Sequence, residues 1–388
     1  MAHFDYIIAG GGCAGLSLAY HMITSPLKDK SILIIDKAKK NRNDRTWCFW
    51  TDQPTIFDKI VLREWSKIEI IDDERHFIRP LEDLDYQMIR SIDFYQFIYK
   101  ELSKYSNIKF LNGFIEKVQS DEKSASLVVE DKIYTADYIF DSRFSNESLT
   151  PHHPDYHFLF QHFKGWFIKT PIPCFDYHKV TMFDFRTPQN GEVRFFYTLP
   201  LDDETALVEY TIFSDNLLTA NEYDSALEGH IRKVLKIKNY QILETEKGII
   251  PMTDFRFPKQ EGRRVMNIGT RGGACKASTG YTFLRIQRES EKIVRSLMRD
   301  NSPFYPQKSR FRHRTYDSMI LNIMHRDGGL IRDIFMQMFQ NNPIERILYF
   351  LDERSSFIRD LKIMNSVPSE PFITSLENIF GSDGLQKK

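Results

Sequence analysis

A chain of 388 residues, 41% of them hydrophobic, can bury a substantial core, either in two domains or in one large domain with an insertion. The 53 basic residues balance 53 acidic ones, which argues against electrostatically driven nucleic-acid binding. The 4 cysteines (Cys13, Cys48, Cys174 and Cys275) have no CxxC spacing, which predicts reduced thiols in a cytosolic protein, with no disulfide framework and no zinc site. No apolar run approaches the ~18 residues of a transmembrane helix, and no signal-peptide pattern opens the chain. Any membrane contact is therefore expected to be peripheral.

Residues 4–9, FDYIIA, predict a buried strand. Residues 14–24 predict a helix, with Leu16, Ala19, Tyr20 and Ile23 at helical spacing, and SILIIDK at 31–37 predicts a second buried strand. That βαβ order implies a parallel sheet. NRNDRTWCFW at 41–50 reads as a polar loop entering aromatics, and 88–104 as a helix. Four short strands follow between 108 and 142. Around 151–175 Pro and His are frequent and periodicity fades, which suggests a domain transition. Residues 178–213 predict antiparallel strands with a hairpin turn at Asp202-Asp203-Glu204. A helix at 219–236, strands at KGIIPM and RVMNIG, a helix at 280–299 and a helical C-terminal third complete the pattern.

The first strand runs into Gly10-x-Gly12-x-x-Gly15, and Asp36 closes the next strand, in the order of a dinucleotide-binding fingerprint. Gly10 permits the tight turn, Gly12 lets the backbone approach a pyrophosphate, and Gly15 allows close helix–sheet packing. The helix N-terminus favours negative charge. Gly11 and Ala14 complete the loop. Asp36, with Lys37 beside it, suits an adenosine ribose with a free 2′-hydroxyl. A second glycine-rich segment, NIGTRGGACKASTGYTF at 267–283, again runs from strand through glycines to helix. Its Gly269, Thr270, Gly272 and Gly273 are small enough to let backbone N–H groups reach a cofactor. Two such loops far apart in the chain favour FAD over a simple NAD dehydrogenase.

Several longer stretches carry a resemblance. They are RTWCFW (45–50), YQMIRSIDFYQF (86–97), FDSR (140–143), MFDFR (182–186), YTLPLDDETALVEYTIFS (197–214), residues 248–287, and RILYFLDE with DLKIMNSVPSEPF between 346 and 372. Together they resemble the flavin-dependent lycopene β-cyclases, nearly end to end. Cys275 and Ala277 depart from the pattern, where a small or polar residue and a proline are expected. The resemblance implies an α/β flavoprotein of the glutathione-reductase-like type. Its Rossmann-like FAD-binding domain would be drawn from 1–150 and about 248–300. A substrate-binding antiparallel sheet would come from about 70–100 and 151–247, and a helical region from 301–388. It further implies reduced FAD as the active form, NAD(P)H as electron donor, and lycopene or related acyclic carotenoids as substrate. The protein would be cytoplasmic and bound peripherally to the membrane, and it would perform a net non-redox cyclisation of ψ end groups to β-ionone rings.

That chemistry needs a proton delivered to C2 of the end group, an apolar pocket for the resulting cation, and a base for the proton lost from C6. Glu209, flanked by Val208 and Tyr210 in the strand ALVEYTIF, is the leading acid/base. A carboxyl in an apolar setting has a raised pKa and holds its proton at neutral pH. The family's glutamate in an LxE-T motif maps onto this position. Asp184, between aromatics in MFDFR, is a second candidate for holding the proton or stabilising cationic charge; its alternatives are an ion pair with Arg186 or an acid in a turn. Arg45 and Thr46 follow the second strand and are candidates to reach the cofactor. Phe183, Phe185, Phe195, Phe196 and Tyr197 are either core or cation-stabilising faces. His152, His153 and His157 lack a Cys or acid at ligand spacing, so no metal is expected. Leu330, Ile331, Ile334, Phe335, Met338 and Phe339 share a helical side that is either core or a membrane-facing entry. The same fold also serves monooxygenases and prenyl reductases. Typical hydroxylases carry Gly-Asp at the late flavin loop where this chain has Gly269-Thr270. A flavin-bearing carotenoid carrier without turnover is the non-enzymatic alternative.

Overall fold

The first βαβ unit forms because three apolar segments can bury one another. In the computed structural model, which describes residues 2–149, 153–306 and 311–381, strand Ala2–Ala9 lies between Ile32–Asp36 and Lys132–Asp141 and runs parallel to both. Ile108–Asn112 extends the sheet on one side, parallel to Ile32–Asp36, and Val265–Asn267 on the other, parallel to Lys132–Asp141. Helix Cys13–Ile23 covers this sheet with Leu16, Leu18, Ala19 and Met22. Helix Phe283–Asp300 packs against it through Ile286, Ile293, Val294 and Leu297. The Gln287 amide donates to Ser17 Oγ at 2.8 Å, tying the two helices together. Val265–Asn267 thus returns the chain to the first sheet from far along the sequence, bringing the second glycine-rich loop beside the first.

A second sheet of seven strands has the order Gln241–Thr253, Phe158–Lys169, Thr205–Ser214, Val193–Pro200, Lys179–Asp184, Lys67–Ile71 and His76–Pro80. The stretch read from sequence as a domain transition contains its 12-residue strand Phe158–Lys169, antiparallel to both neighbours. Its alternation was obscured because both faces are covered and its polar side chains find buried partners. His162, for example, lies between Ser214 Oγ (2.8 Å) and Tyr223 OH (2.5 Å). One face of the sheet, with Phe183, Phe185, Phe195, Leu207 and Phe213, packs under the C-terminal helices. The other, with Trp166, Phe196, Val208 and Tyr210, is covered by helix Ala220–Gly229 and the turn after it.

A small sheet of Thr46–Thr51, Asp85–Arg90 and Arg63–Trp65 joins these layers. The segment read as a polar loop entering aromatics at 41–50 is loop over its first half and strand from Thr46, and the helix expected from residue 88 begins at Ser91. The apolar stripe on helix Leu330–Asn341 is core apart from its exposed first residue, Leu330: Ile331, Ile334, Phe335, Met338 and Phe339 are buried, and Phe335 meets Phe183 edge-on at 5.3 Å. Exposed apolar side chains lie instead on Phe357–Met364 and Glu370–Phe380, at Phe357, Ile358, Leu361, Ile373 and Leu376.

Candidate active site

The two glycine loops meet at the N-terminus of helix Cys13–Ile23. A Cβ on Gly15 would lie 2.0 Å from the Gly10 carbonyl oxygen and 2.8 Å from Ile8 Cγ2, so the helix approaches the strand as only glycine allows. A Cβ on Gly12 would meet nothing within 4 Å: space stands open over the first helical turn. Gly10, at φ 109, makes the turn, and Gly11 N–H donates to Asp36 Oδ2 at 2.7 Å. Asp36 also accepts from Ala38 N–H and lies 3.5 Å from Lys40 Nζ, while Lys37 is exposed. From the other loop, the turn Gly269–Gly272, which contains Thr270 and is capped by Gly273, packs so closely that a Cβ on Gly269 would fall 2.7 Å from Ala14 Cβ. Backbone N–H groups, a helix dipole and an open cradle together fit a pyrophosphate.

The second cluster is built by strand register. Glu209 pairs across the ladder with Gly165, and Gly165 pairs with Glu246 on the far side. Three consecutive strands therefore present glutamate, glycine and glutamate on one face, and the two carboxyls are joined by a side-chain hydrogen bond. Thr211 Oγ1 donates to Glu209 Oε1 at 2.9 Å, and Thr46 Oγ1 donates to Glu246 Oε2 at 2.5 Å. Burial, and then the adjacent Glu246 carboxyl, push Glu209 well above the ordinary carboxylate range. Burial and the nearby Glu244 charge also raise Glu246, against the opposing hydrogen bonds from Thr46 and Glu209 and the Arg45 charge.

Aromatic and hydroxyl groups stand beside this pair. Tyr197 is the cross-strand neighbour of Glu209, and burial holds its phenol protonated, as it does that of Tyr86. Burial pushes the Tyr281 phenol up to about 12. Trp50 meets Tyr281 edge-on at 4.7 Å, and the Cys48 thiol, raised by burial, sits between Tyr86 and the two glutamates. The wall is thus neutral and π-rich, and it comes from all three parts of the fold: the seven-stranded sheet, the small sheet and the late glycine loop.

The structure does not bring every candidate here. Asp184 is opposite Phe196, which is opposite Tyr210, so it projects from the other face of the sheet than Glu209. There it pairs with Arg186 at 2.5 Å, and the His230 ring, which burial keeps neutral, lies 3.4 Å away. Phe196 also lies on that far face, stacked on His230 at 3.8 Å. Thr46 is placed at Glu246, and the Arg45 guanidinium donates to the carbonyls of Asp44 and Lys247. His152 lies outside the described residues, His153 stacks on Tyr156, and His157 binds Asp254 and Asn322. Glu246 was missed from sequence. ETEK reads as solvated strand, and only its alternation with Gly248 and Ile250, which begins a half-buried face, hinted otherwise.

A measurable consequence is a pH-dependent stability. A carboxyl whose folded pKa exceeds its unfolded value keeps a proton the unfolded chain has released. Its contribution is full below the ordinary range, about 4.3 for Glu, and is lost as pH rises through the raised value. Buried His162 and His230, each lowered to about 4, add stability over part of the same interval, so the quantity to read is the difference: the melting temperature of the wild type should lose ground to that of Glu209→Gln as pH rises above the ordinary carboxylate range. Parallel wild-type and variant curves would contradict the protonated pair.

The fold is that of the glutathione-reductase-like flavoproteins. It resembles a geranylgeranyl bacteriochlorophyll reductase-like protein from Thermoplasma acidophilum (TM-score 0.60, 11% identity, 100% of this chain and 98% of that one). It also resembles the flavin-dependent brominase Bmp2 (TM-score 0.59, 14% identity, 97% and 99%). Residues 5–377 match the profile of the lycopene cyclase protein family, and the chain belongs to that family. It is 23% identical over 389 aligned positions to a lycopene beta-cyclase from Pseudescherichia vulneris, covering 95% of each chain. It is 26% identical to a chloroplastic neoxanthin synthase from Solanum tuberosum, over 73% of this chain, and spans 58% of that protein's length. To the chromoplastic capsanthin/capsorubin synthase of Capsicum annuum it is 26% identical, over 76% and 61% respectively.

Proposed function

We propose that this chain is a flavin-dependent lycopene β-cyclase, an intramolecular lyase that converts the ψ end groups of lycopene to β-ionone rings through γ-carotene to β-carotene. The observation that carries this reading is the buried Glu209–Glu246 pair under a neutral aromatic wall, in a chain of the lycopene cyclase family. Glu209, kept protonated by burial, delivers its proton to C2 of the end group. The C5–C6 double bond closes on C1, and loss of the C6 proton sets the ring double bond. Tyr197, Tyr281, Tyr86 and Trp50 offer π faces to the cation and exclude water.

The loops at Gly10–Gly15 and Gly269–Gly273 would hold the FAD pyrophosphate, with Asp36 at the adenosine ribose. When bound in its reduced form, with NAD(P)H as donor, FAD supplies anionic charge beside the developing cation. Among the described residues no helix is long and apolar enough to cross a membrane. A peripheral position on the cytoplasmic membrane, where lycopene dissolves, is supported by the exposed Phe357, Ile358 and Leu361 alongside Arg359 and Lys362.

The test is expression in a lycopene-accumulating bacterial host, with pigments resolved by chromatography. β-Carotene with no net hydrogen gained is the expected result. Unchanged lycopene beside FAD-loaded protein would overturn the reading. A reduced prenyl product formed with stoichiometric nicotinamide use would favour the prenyl-reductase alternative that the Thermoplasma acidophilum fold likeness raises.

A further inference from the structure

We propose that Glu246 is the base of the reaction: its carboxylate accepts the proton lost from C6 and returns it to Glu209 through their shared hydrogen bond, and Gly165 is the positioning residue that lets the two carboxyls meet. This rests on the cyclase reading above and assigns its second proton transfer.

Strands two places apart in a sheet lie roughly 9.5 Å from each other, and the side chain of the strand between normally separates their facing residues. Gly165 removes that barrier. A Cβ at this position would lie 3.3 Å from Glu246 Cγ, 3.4 Å from Glu209 Cβ and 2.7 Å from Leu207 Cδ1. Its backbone lies in an ordinary strand, so the glycine is needed for space rather than for an unusual torsion. The contact costs heavily in desolvation, which a merely structural pair would avoid by being apolar.

The surroundings divide the labour. Glu246 receives the Thr46 hydroxyl and accepts from Glu209, both of which favour its ionised form, while the nearby Glu244 charge opposes ionisation and Arg45 favours it. Glu209 has Thr211 and the apolar strand around it and faces the Tyr197 ring. One proton shared between two carboxyls therefore resides on Glu209. The steps then balance. The Glu209 O–H bond breaks as the C1–C2 π electrons form C2–H and leave the cation at C1, and the π electrons of C5–C6 then make the C1–C6 bond and leave the cation at C5. The C6–H bond breaks as Glu246 takes the proton, and its electrons form the new C5–C6 double bond. Passing that proton from Glu246 to Glu209 restores the starting state with no net uptake from solvent.

The experiment uses the purified, FAD-loaded protein with lycopene in vesicles under reducing conditions. Wild-type enzyme given lycopene deuterated at C6 of each end group should yield β-carotene carrying deuterium at C2. Glu246→Gln should lower β-ring formation by about 10²-fold or more, the usual scale of general-base loss. The residual flux should shift to rings that have lost a proton from C4 or from the C5 methyl group. Gly165→Ala should lower kcat at least about tenfold with KM and FAD content unchanged, because a displaced base affects the chemical step and not binding. Label absent from C2, or β-carotene formed at the wild-type rate by Glu246→Gln, would overturn the inference while leaving the cyclase reading intact. No cyclic product from the wild-type protein would instead remove the reading on which it rests.

Discussion

Replacing Glu209 with Gln is expected to abolish cyclisation, by about 10³-fold or more given the usual size of general-acid contributions, while FAD content and lycopene binding remain as in the wild type. Gln matches the shape of Glu and can still accept from Thr211, but it has no proton acidic enough to protonate an alkene. The strand around it is rigid and buried on both faces, so the substitution should not be absorbed by rearrangement. Flavin absorbance per protein and lycopene conversion measured on one preparation settle the matter. Wild-type-like conversion would remove Glu209 from the mechanism. Asp184→Asn is the informative contrast. Asp184 holds Arg186 on the opposite face of the sheet, so its loss strands a partly buried guanidinium and should lower the melting temperature. The turnover of molecules that remain folded should be little changed.

That contrast shows where the sequence was legible. Glu209 and Asp184 are both acids among aromatics, and no local feature separates them. The separation is a matter of strand parity across three strands, where Asp184 aligns with Phe196 and Tyr210 while Glu209 aligns with Tyr197. Parity depends on registers that form between distant segments, and a β-bulge between Thr181 and Asp184 shifts the phase besides. Glu246 and Gly165 were hidden for the same reason. Each is unremarkable alone, and their meaning lies in a pairing with the strand between them. The first glycine loop was readable because its turn, helix start and strand end lie within one short local unit. The small sheet of Thr46–Thr51 and Asp85–Arg90 is not legible in the sequence because its strands are 6 residues each and pair between distant segments.

The cofactor loop offers the second large effect, and the local geometry makes the different duties of two of its glycines separately testable. Gly15→Val is expected to destabilise the cofactor-free protein by more than about 3 kcal/mol, the upper part of the overpacking range, and to abolish FAD retention. Its Cβ would collide with the Gly10 carbonyl oxygen and Ile8, which belong to backbone and sheet and cannot swing away. Gly12→Ala should behave otherwise. Gly12 has φ −85, which alanine adopts freely, and its new methyl would meet no protein atom. Cofactor-free stability should therefore change by no more than about 0.5 kcal/mol, as at an uninvolved surface position. The methyl would nevertheless stand in the cradle over the helix N-terminus, where a pyrophosphate must touch backbone. FAD affinity should fall by about 10- to 100-fold, corresponding to about 1–3 kcal/mol of steric cost. Because a ligand that binds only the folded state raises its melting temperature in proportion to ln(1 + [L]/Kd), a thermal titration with FAD reads both quantities from one sample. Cofactor-free curves that coincide with the wild type, together with a titration displaced to higher FAD, would place the pyrophosphate at Gly12. Equal destabilisation without FAD by both substitutions would make the glycines a packing requirement, and an undisplaced titration for Gly12→Ala would put the cofactor elsewhere.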